Sequence, residues 1–253
     1  MKTDILANTV TDIRLAFLLL SRLPQPALPA TAFDRGHKAV WAYPIVGAGL
    51  GGVATLAGIA AMALGLPSTV AAGLVVLMMI CTSGALHEDG LADVADGFWG
   101  GQTAERRLEI MKDSQIGSYG TLALILVVGL RWAVVAAILP LAPLAIIACA
   151  TTSRAAMPLL MYGLPHARDT GLSQSVGRPE LPQVLVGLGL AFALSLALLG
   201  MIGALALVTP MIVAALAGAL ARRKIMGQTG DVLGALQQIG EITTLCILLA
   251  VLQ

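Results

Sequence analysis

The chain has 253 residues, 58% of them hydrophobic and 11% charged, with a formal net charge of +1 and a mean hydropathy of +0.90. Soluble domains run nearer about 45–50% apolar and about 25% charged, so this composition excludes an ordinary soluble domain and points to a polytopic membrane protein. So slight a net charge gives no footing for nucleic-acid binding. The three cysteines, Cys81, Cys149 and Cys246, sit in apolar runs, which argues for buried thiols and against a disulfide framework.

The first apolar segment, IRLAFLLLSRL (13–23), is short, carries Arg14 and Arg22, and lacks a small-residue cleavage site. It reads as an amphipathic helix on the membrane surface or packed against the bundle, not as a signal peptide. A membrane span needs about 20 mostly apolar residues. Seven stretches qualify: 44–65, 69–87, 118–138, 142–162, 183–202, 204–221 and 233–252. Glycines in 47–58 leave room for a kink or a re-entrant turn. The expected fold is therefore an all-α bundle, one integral membrane domain over 1–253, of about seven transmembrane helices plus the N-terminal amphipathic one. No internal repeat is evident.

The linkers alternate in charge. Those at 66–68, at 139–142 and near Ile202 hold no charged residue, whereas 22–38, 88–117, 163–182 and 222–232 hold most of the cations outside the spans. The positive-inside rule makes the charged side cytoplasmic, with the N-terminus inside and the C-terminus outside. Any chemistry carried by the long loops then faces the cytoplasm.

Residues 87–101 read HEDGLADVADGFWGG, an acidic cluster in an otherwise oily chain. If 87–99 is helical, Asp89, Asp93 and Asp96 stand at i, i+4 and i+7, on one face at about 100° per residue, with Glu88 turned to one side. Like charges so stacked repel, and a bridging cation removes the penalty; hard oxygen ligands favour Mg²⁺ or Mn²⁺. A second row, Glu105, Glu109 and Asp113, follows in AERRLEIMKD (104–113) after the reversal that Gly100 and Gly101 permit. Two facing rows suit one or two metal ions holding a diphosphate. The plainer alternative for these acids is a solvated cytoplasmic face. His87 reads either as a metal or phosphate contact or as an ordinary interfacial histidine.

Cations complete a phosphate site. Arg131 and Arg154 fall inside apolar spans, where arginine is functional or paired; for Arg154 the alternative is a salt bridge within the bundle, to Glu241. Arg168, in LPHARDTGL, and the triplet Arg222, Arg223, Lys224 can grip phosphate oxygens, although for the triplet a topology signal suffices. The last charged loop, MGQTGDVLGA (226–235), sets Thr229 and Asp231 among glycines before a span. Its N–H groups can hold an anion, and Asp231 can cap the helix or bind metal.

HEDGLADVADGFWGG continued by RRLEIMKDSQIGSYG (106–120) resembles the signature of the cobalamin synthase family, the adenosylcobinamide-GDP ribazoletransferases. WAYPIVGAGLG (41–51), LPHARDTGL (164–172) and GQTGDVLGA (227–235) resemble further segments of that family, so the likeness covers nearly the whole chain. The resemblance implies a multi-pass enzyme of the bacterial inner membrane that joins adenosylcobinamide-GDP to α-ribazole, or its 5′-phosphate, and releases GMP with Mg²⁺ as cofactor. It carries with it the lipid bilayer as a partner and either self-association or association with other enzymes of the same pathway. On this reading Asp89, Asp93, Asp96 and Glu88 are metal ligands. Asp113, Lys112 and His87 are catalytic, with Asp113 a base or further ligand. Arg107, Arg154, Arg168 and Thr229 contact phosphate. No sequence feature reads guanine or the corrin ring.

A more distant likeness runs to CDP-alcohol phosphotransferases: DVADG (93–97) fits their D-x₂-D-G, and Gly101, Glu105 and Glu109 fit a G-x₃-D-x₃-D with glutamates, while Gly100 and Gly101 replace their A-R. A lipid-type phosphotransferase, an aspartate-rich prenyltransferase and a cation transporter are the rival readings. A transporter requires acids at mid-bilayer in several spans, and Glu241 alone approaches that.

Overall fold

The computed structural model describes residues 2–253, with side chains from residue 6 onward. The described residues form an all-helical bundle, and each of the seven expected apolar runs carries one of its helices. Helix α1 (Lys2–Leu20) begins well before the expected amphipathic segment. It is fastened by Asp12, whose carboxylate accepts from Arg35 Nε at 2.8 Å, Arg35 Nη2 at 3.0 Å and Trp41 Nε1 at 3.1 Å. Short turns, including α2 (Gly36–Ala39), lead into α3 (Tyr43–Ala63), where Pro44 occupies the first turn and so removes no helical hydrogen bond.

The chain continues through α4 (Ser68–Ser83), α5 (Leu86–Gly100), α6 (Ala104–Ile110), α7 (Ser118–Ile138), α8 (Leu144–Gly163), α9 (Leu172–Val176), α10 (Leu181–Leu199), α11 (Gly203–Ile225) and α12 (Gly230–Leu252). Among the described residues five apolar helical stretches are long enough to cross a membrane, or six when the bent pair of α4 and α5 is counted as one span. One of the five, Leu181–Ile225, comprises α10 and α11, which break at Gly200 (φ +61) and pack on each other. The departure from expectation lies at 69–87. Here α4 has only 16 residues and bends by 87° into α5, because Gly84 and Ala85 both take left-handed backbone, φ +67 and +56.

Helix α8 is the axis of the bundle, packed by α3, α10, α11 and α12. Its most apolar window is 83% buried, against 22% for α7, whose outer face shows Leu122, Ile125 and Leu126. Small residues permit this, since membrane helices associate through close packing and not through a hydrophobic drive between apolar faces. A Cβ at Gly47 on α3 would stand 2.1 Å from the Ala150 carbonyl oxygen of α8, so the two backbones touch there.

The bundle collects the four charged linkers at one end. Arg22 N donates to Thr82 O at 2.7 Å, Arg107 Nη1 to Lys224 O at 2.9 Å, and Ala167 N to Gln228 O at 2.9 Å. The α3–α8 contact yields a paired test. Gly47→Ala should lose about 1–3 kcal/mol of stability by overpacking, whereas Gly52→Ala, with nothing within 4 Å of the new methyl, should be neutral or slightly stabilising. Thermal unfolding of the two variants in detergent measures this, and equal midpoints would refute the close crossing.

Candidate active site

The acids of HEDGLADVADG do form the expected helix, α5, and it lies at the charged end, outside the long spanning helices. What positions it is α12. A Cβ at Gly90 would come within 2.8 Å of Asp231 O, and one at Gly234 within 3.2 Å of His87 Cα. These glycines let α5 and the start of α12 cross in contact, which sets the carboxylates of Asp89 and Asp93 near that of Asp231. Asp231 is in turn ion-paired with Arg168, and Thr229 Oγ1 donates to its Oδ2 at 3.2 Å. Thr229 also caps α12, its hydroxyl accepting from Val232 N at 3.3 Å.

The crowding is legible in the electrostatics. Asp93 is half-buried, and its carboxyl is pushed up to about 7, first by loss of solvent and then by the Asp231 and Asp89 charges, with Arg168 opposing. Arg168 is thus the cation that partly balances three neighbouring acids.

Beside these groups opens a cleft of about 820 Å³, counted to its open mouth, lined by His87, Asp89, His166, Arg168, Thr229 and Asp231 over an apolar floor that includes Tyr43, Met157 and Met161. The loop carrying Arg168 is held in place by Gln228. Gln228 Nε2 lies 2.9 Å from His166 Nδ1, its Oε1 accepts from Ser173 Oγ at 2.7 Å, and its backbone bonds Pro165 and Ala167. His87 is buried at the back of the cleft, and neither ring nitrogen has a hydrogen-bond partner. Buried polar atoms are seldom left so.

The other residues expected here lie elsewhere. Asp96 accepts from Gly117 N at 2.7 Å and Gly120 N at 2.9 Å, so both its oxygens are spent on the first turn of α7. Glu88 is buried against Arg131 at 2.9 Å. The four-acid group Glu88, Asp89, Asp93 and Asp96 is therefore not assembled at one point. Arg154 is buried, donating to Ala150 O at 3.0 Å and pairing with Glu241 at 3.5 Å; it does not border the cleft. Arg107 donates to the carbonyls of Lys224 and Gln102. Lys112 and Asp113 follow the end of α6 and are exposed, with Asp113 Oδ1 accepting from Gln115 N at 3.1 Å. Glu109 is an exposed partner of Arg106, and with Asp113 it borders a separate surface pocket that also includes Asp96, so of the first acidic row only Asp96 meets the second, and away from the cleft. Conversely, sequence reasoning passed over His166 and Gln228 and gave Asp231 no firm role. Their only signal was position, in LPHARDTGL and GQTGDVLGA.

Among the described residues no three His, Cys, Asp or Glu side chains converge closely enough to enclose a metal ion alone. Mg²⁺ seldom needs such a cage; it keeps waters and is held by one or two carboxylates together with substrate phosphates. Asp89, Asp93 and Asp231 are hard oxygen donors in such an open arrangement, and the unrelieved repulsion at Asp93 fits a cation bound among them.

Behind the cleft runs a buried ionic network. Glu88 of α5, Arg131 of α7, Arg154 of α8 and Glu241 of α12 make a neutral set of two acids and two bases. Gln238 donates to Glu88 at 3.2 Å and accepts from Arg131 at 3.1 Å, and Gln237 donates to Glu241 at 2.7 Å.

A family model described as cobalamin-5-phosphate synthase matches residues 12–249. A relative from Bradyrhizobium diazoefficiens, named adenosylcobinamide-GDP ribazoletransferase, is 41% identical over 252 residues, covering 97% of this chain and 95% of its own. Relatives of the same name from Azorhizobium caulinodans and a Sinorhizobium species are 46% and 42% identical, covering 94% and 92% of this chain and 95% and 94% of theirs. No solved structure matches.

Two outcomes are expected from this geometry. In metal-free protein Asp93 should lose its proton near pH 7, seen as a protonated-carboxyl infrared band absent from Asp93→Asn; titration in the ordinary carboxylate range would refute the crowding. Arg154→Met should cost about 3–5 kcal/mol by leaving the buried network with an excess negative charge, and adding Glu241→Met should recover much of it. Thermal midpoints of the single and double variants measure this, and additive losses would exclude the pairing.

Proposed function

The chain belongs to the cobalamin-5-phosphate synthase family, and from that premise we propose how its own residues carry out the transfer. It is a transferase that joins adenosylcobinamide-GDP to α-ribazole, or its 5′-phosphate, to give adenosylcobalamin or its 5′-phosphate and GMP. A ribose hydroxyl attacks the phosphorus borne by the cobinamide arm; the new P–O bond forms as the bond to GMP breaks. Charge spreads over the phosphoryl oxygens, so positioning and nearby cations do most of the catalysis.

The observation that carries this reading is the meeting of Asp89 with the Asp231–Arg168 pair in the lining of the cleft, with the Asp93 carboxyl close beside them. Asp89 and Asp93 would hold Mg²⁺, with Asp231 beside them, and the ion would supply positive charge to offset that of the diphosphate. Arg168, oriented by Asp231, grips phosphate oxygens through its planar fork. The first N–H groups of α12, fixed by the Thr229 cap, offer a second anion contact. His87, whose ring nitrogens no protein group occupies, stands at the back of the cleft as a hydrogen-bond partner for a substrate hydroxyl. The cleft faces the cytoplasm from the inner membrane, a reading supported by the gathering of all four cation-bearing linkers at its end.

Purified protein supplied with both substrates should release GMP only with Mg²⁺, and chelation should stop it reversibly. Asp89→Asn and Asp93→Asn should each lower turnover about a hundredfold or more while inserting normally in the membrane. Asp96→Asn should act differently, lowering the thermal midpoint in step with activity because it loosens α7. Near-normal turnover in Asp93→Asn would sink the metal assignment.

A further inference from the structure

Against the cleft lies a second cavity, walled by α1, the turn at 30–35, α2 and α9. The two share Leu19, Tyr43, Leu172 and Val176, so they are neighbouring compartments of one site. Their chemistry differs. The second is lined by Leu15, Ala16, Phe33, Ala39 and Val176, with hydroxyls only from Tyr43 and Ser175, and Ser175 Oγ is spent on Leu172 O at 2.8 Å. No charged side chain, amide or histidine lines it.

We infer that this apolar compartment receives the base of the incoming nucleoside, a dimethylated benzimidazole; the inference rests on the transferase reading above. The reaction brings together three bulky groups. Guanine presents a row of donors and acceptors, and a lining of hydrocarbon would leave them unpaired, which is costly. The corrin ring carries a fringe of polar amides and is wider than a side pocket. The benzimidazole has two fused rings, two methyls and a single ring acceptor, and it alone matches an apolar wall with a hydroxyl at the entrance. The position agrees. The loop 164–177 presents Arg168 to the acids and, a few residues on, Leu172 and Val176 to this pocket. A base seated there keeps its ribose in the shared passage, beside the diphosphate. Asp12 holds the far wall by binding Arg35 and Trp41.

The test is titration calorimetry of the full chain in nanodiscs with α-ribazole, run beside GMP-release kinetics. Ala39→Leu and Ser175→Leu narrow the pocket from two walls. Each should weaken α-ribazole binding about tenfold or more and leave KM for adenosylcobinamide-GDP within about twofold. The penalty should shrink for the riboside of unmethylated benzimidazole. In wild type, the α-riboside of hypoxanthine should bind about tenfold or more weaker than α-ribazole, a comparison that needs no variant to fold. Equal binding of the two ribosides, or variants that raise KM for the corrinoid nucleotide and spare α-ribazole, would overturn the assignment. Tight α-ribazole binding without GMP release would instead refute the transferase reading and leave the pocket standing.

Discussion

Four charges buried in an apolar bundle have to cancel, and the placement of α5 follows from how they do it. Glu88 enters the interior because Arg131 meets it, and Arg154 is tolerated because Glu241 pairs with it and links it to Arg131. An unpaired charge there would cost several kcal/mol. The network joins α5, α7, α8 and α12 and is directional, unlike the methyl contacts around it. It thereby fixes the rotation of α5, and with it the direction in which Asp89 and Asp93 point.

Glycine does the complementary work of bringing backbones together. Gly90 and Gly234 let α5 and α12 touch, so acids distant in sequence share one small volume. Asp96 anchors the same helix from the other side by capping α7. The acids of one short motif thus divide their labour. Glu88 is bound inward, Asp96 is bound to backbone, Asp89 lines the cleft, and Asp93 stays beside Asp231. The two that remain are those whose charge stays available to a cation and a diphosphate.

The helical architecture was legible from composition and apolar run length, and the shared helical face of Asp89, Asp93 and Asp96 from their spacing. The division of labour was not. Periodicity puts all three on one face but cannot tell a carboxylate aimed at a neighbouring helix start from one aimed at solvent. The N–H groups that claim Asp96 lie 21 and 24 residues further on. Arg154 looked like a phosphate contact because its partner, Glu241, is remote in sequence, and pairing within the bundle was the alternative that geometry selects. Asp231 was visible only as a helix-start acid; its nearness to Asp93 depends on two glycines crossing, which no local pattern encodes. The break at Gly84 and Ala85 was missed because 69–87 carries no charge before His87, so the Thr82–Ser83–Gly84 run was read as part of the span.

That break has a consequence for the surrounding lipid. A helix of 16 residues extends about 24 Å, several ångströms short of a hydrocarbon core of about 30 Å. Lipid beside α4 has to thin, or its headgroups have to sink, to meet the helix end. Where a bilayer thins to match α4, the acids of α5, which start just past that end, would stand in a dimple of its surface, and large water-soluble reactants would reach Asp89 and the Asp231–Arg168 pair without crossing hydrocarbon. Thicker bilayers would narrow that approach with every side chain unchanged.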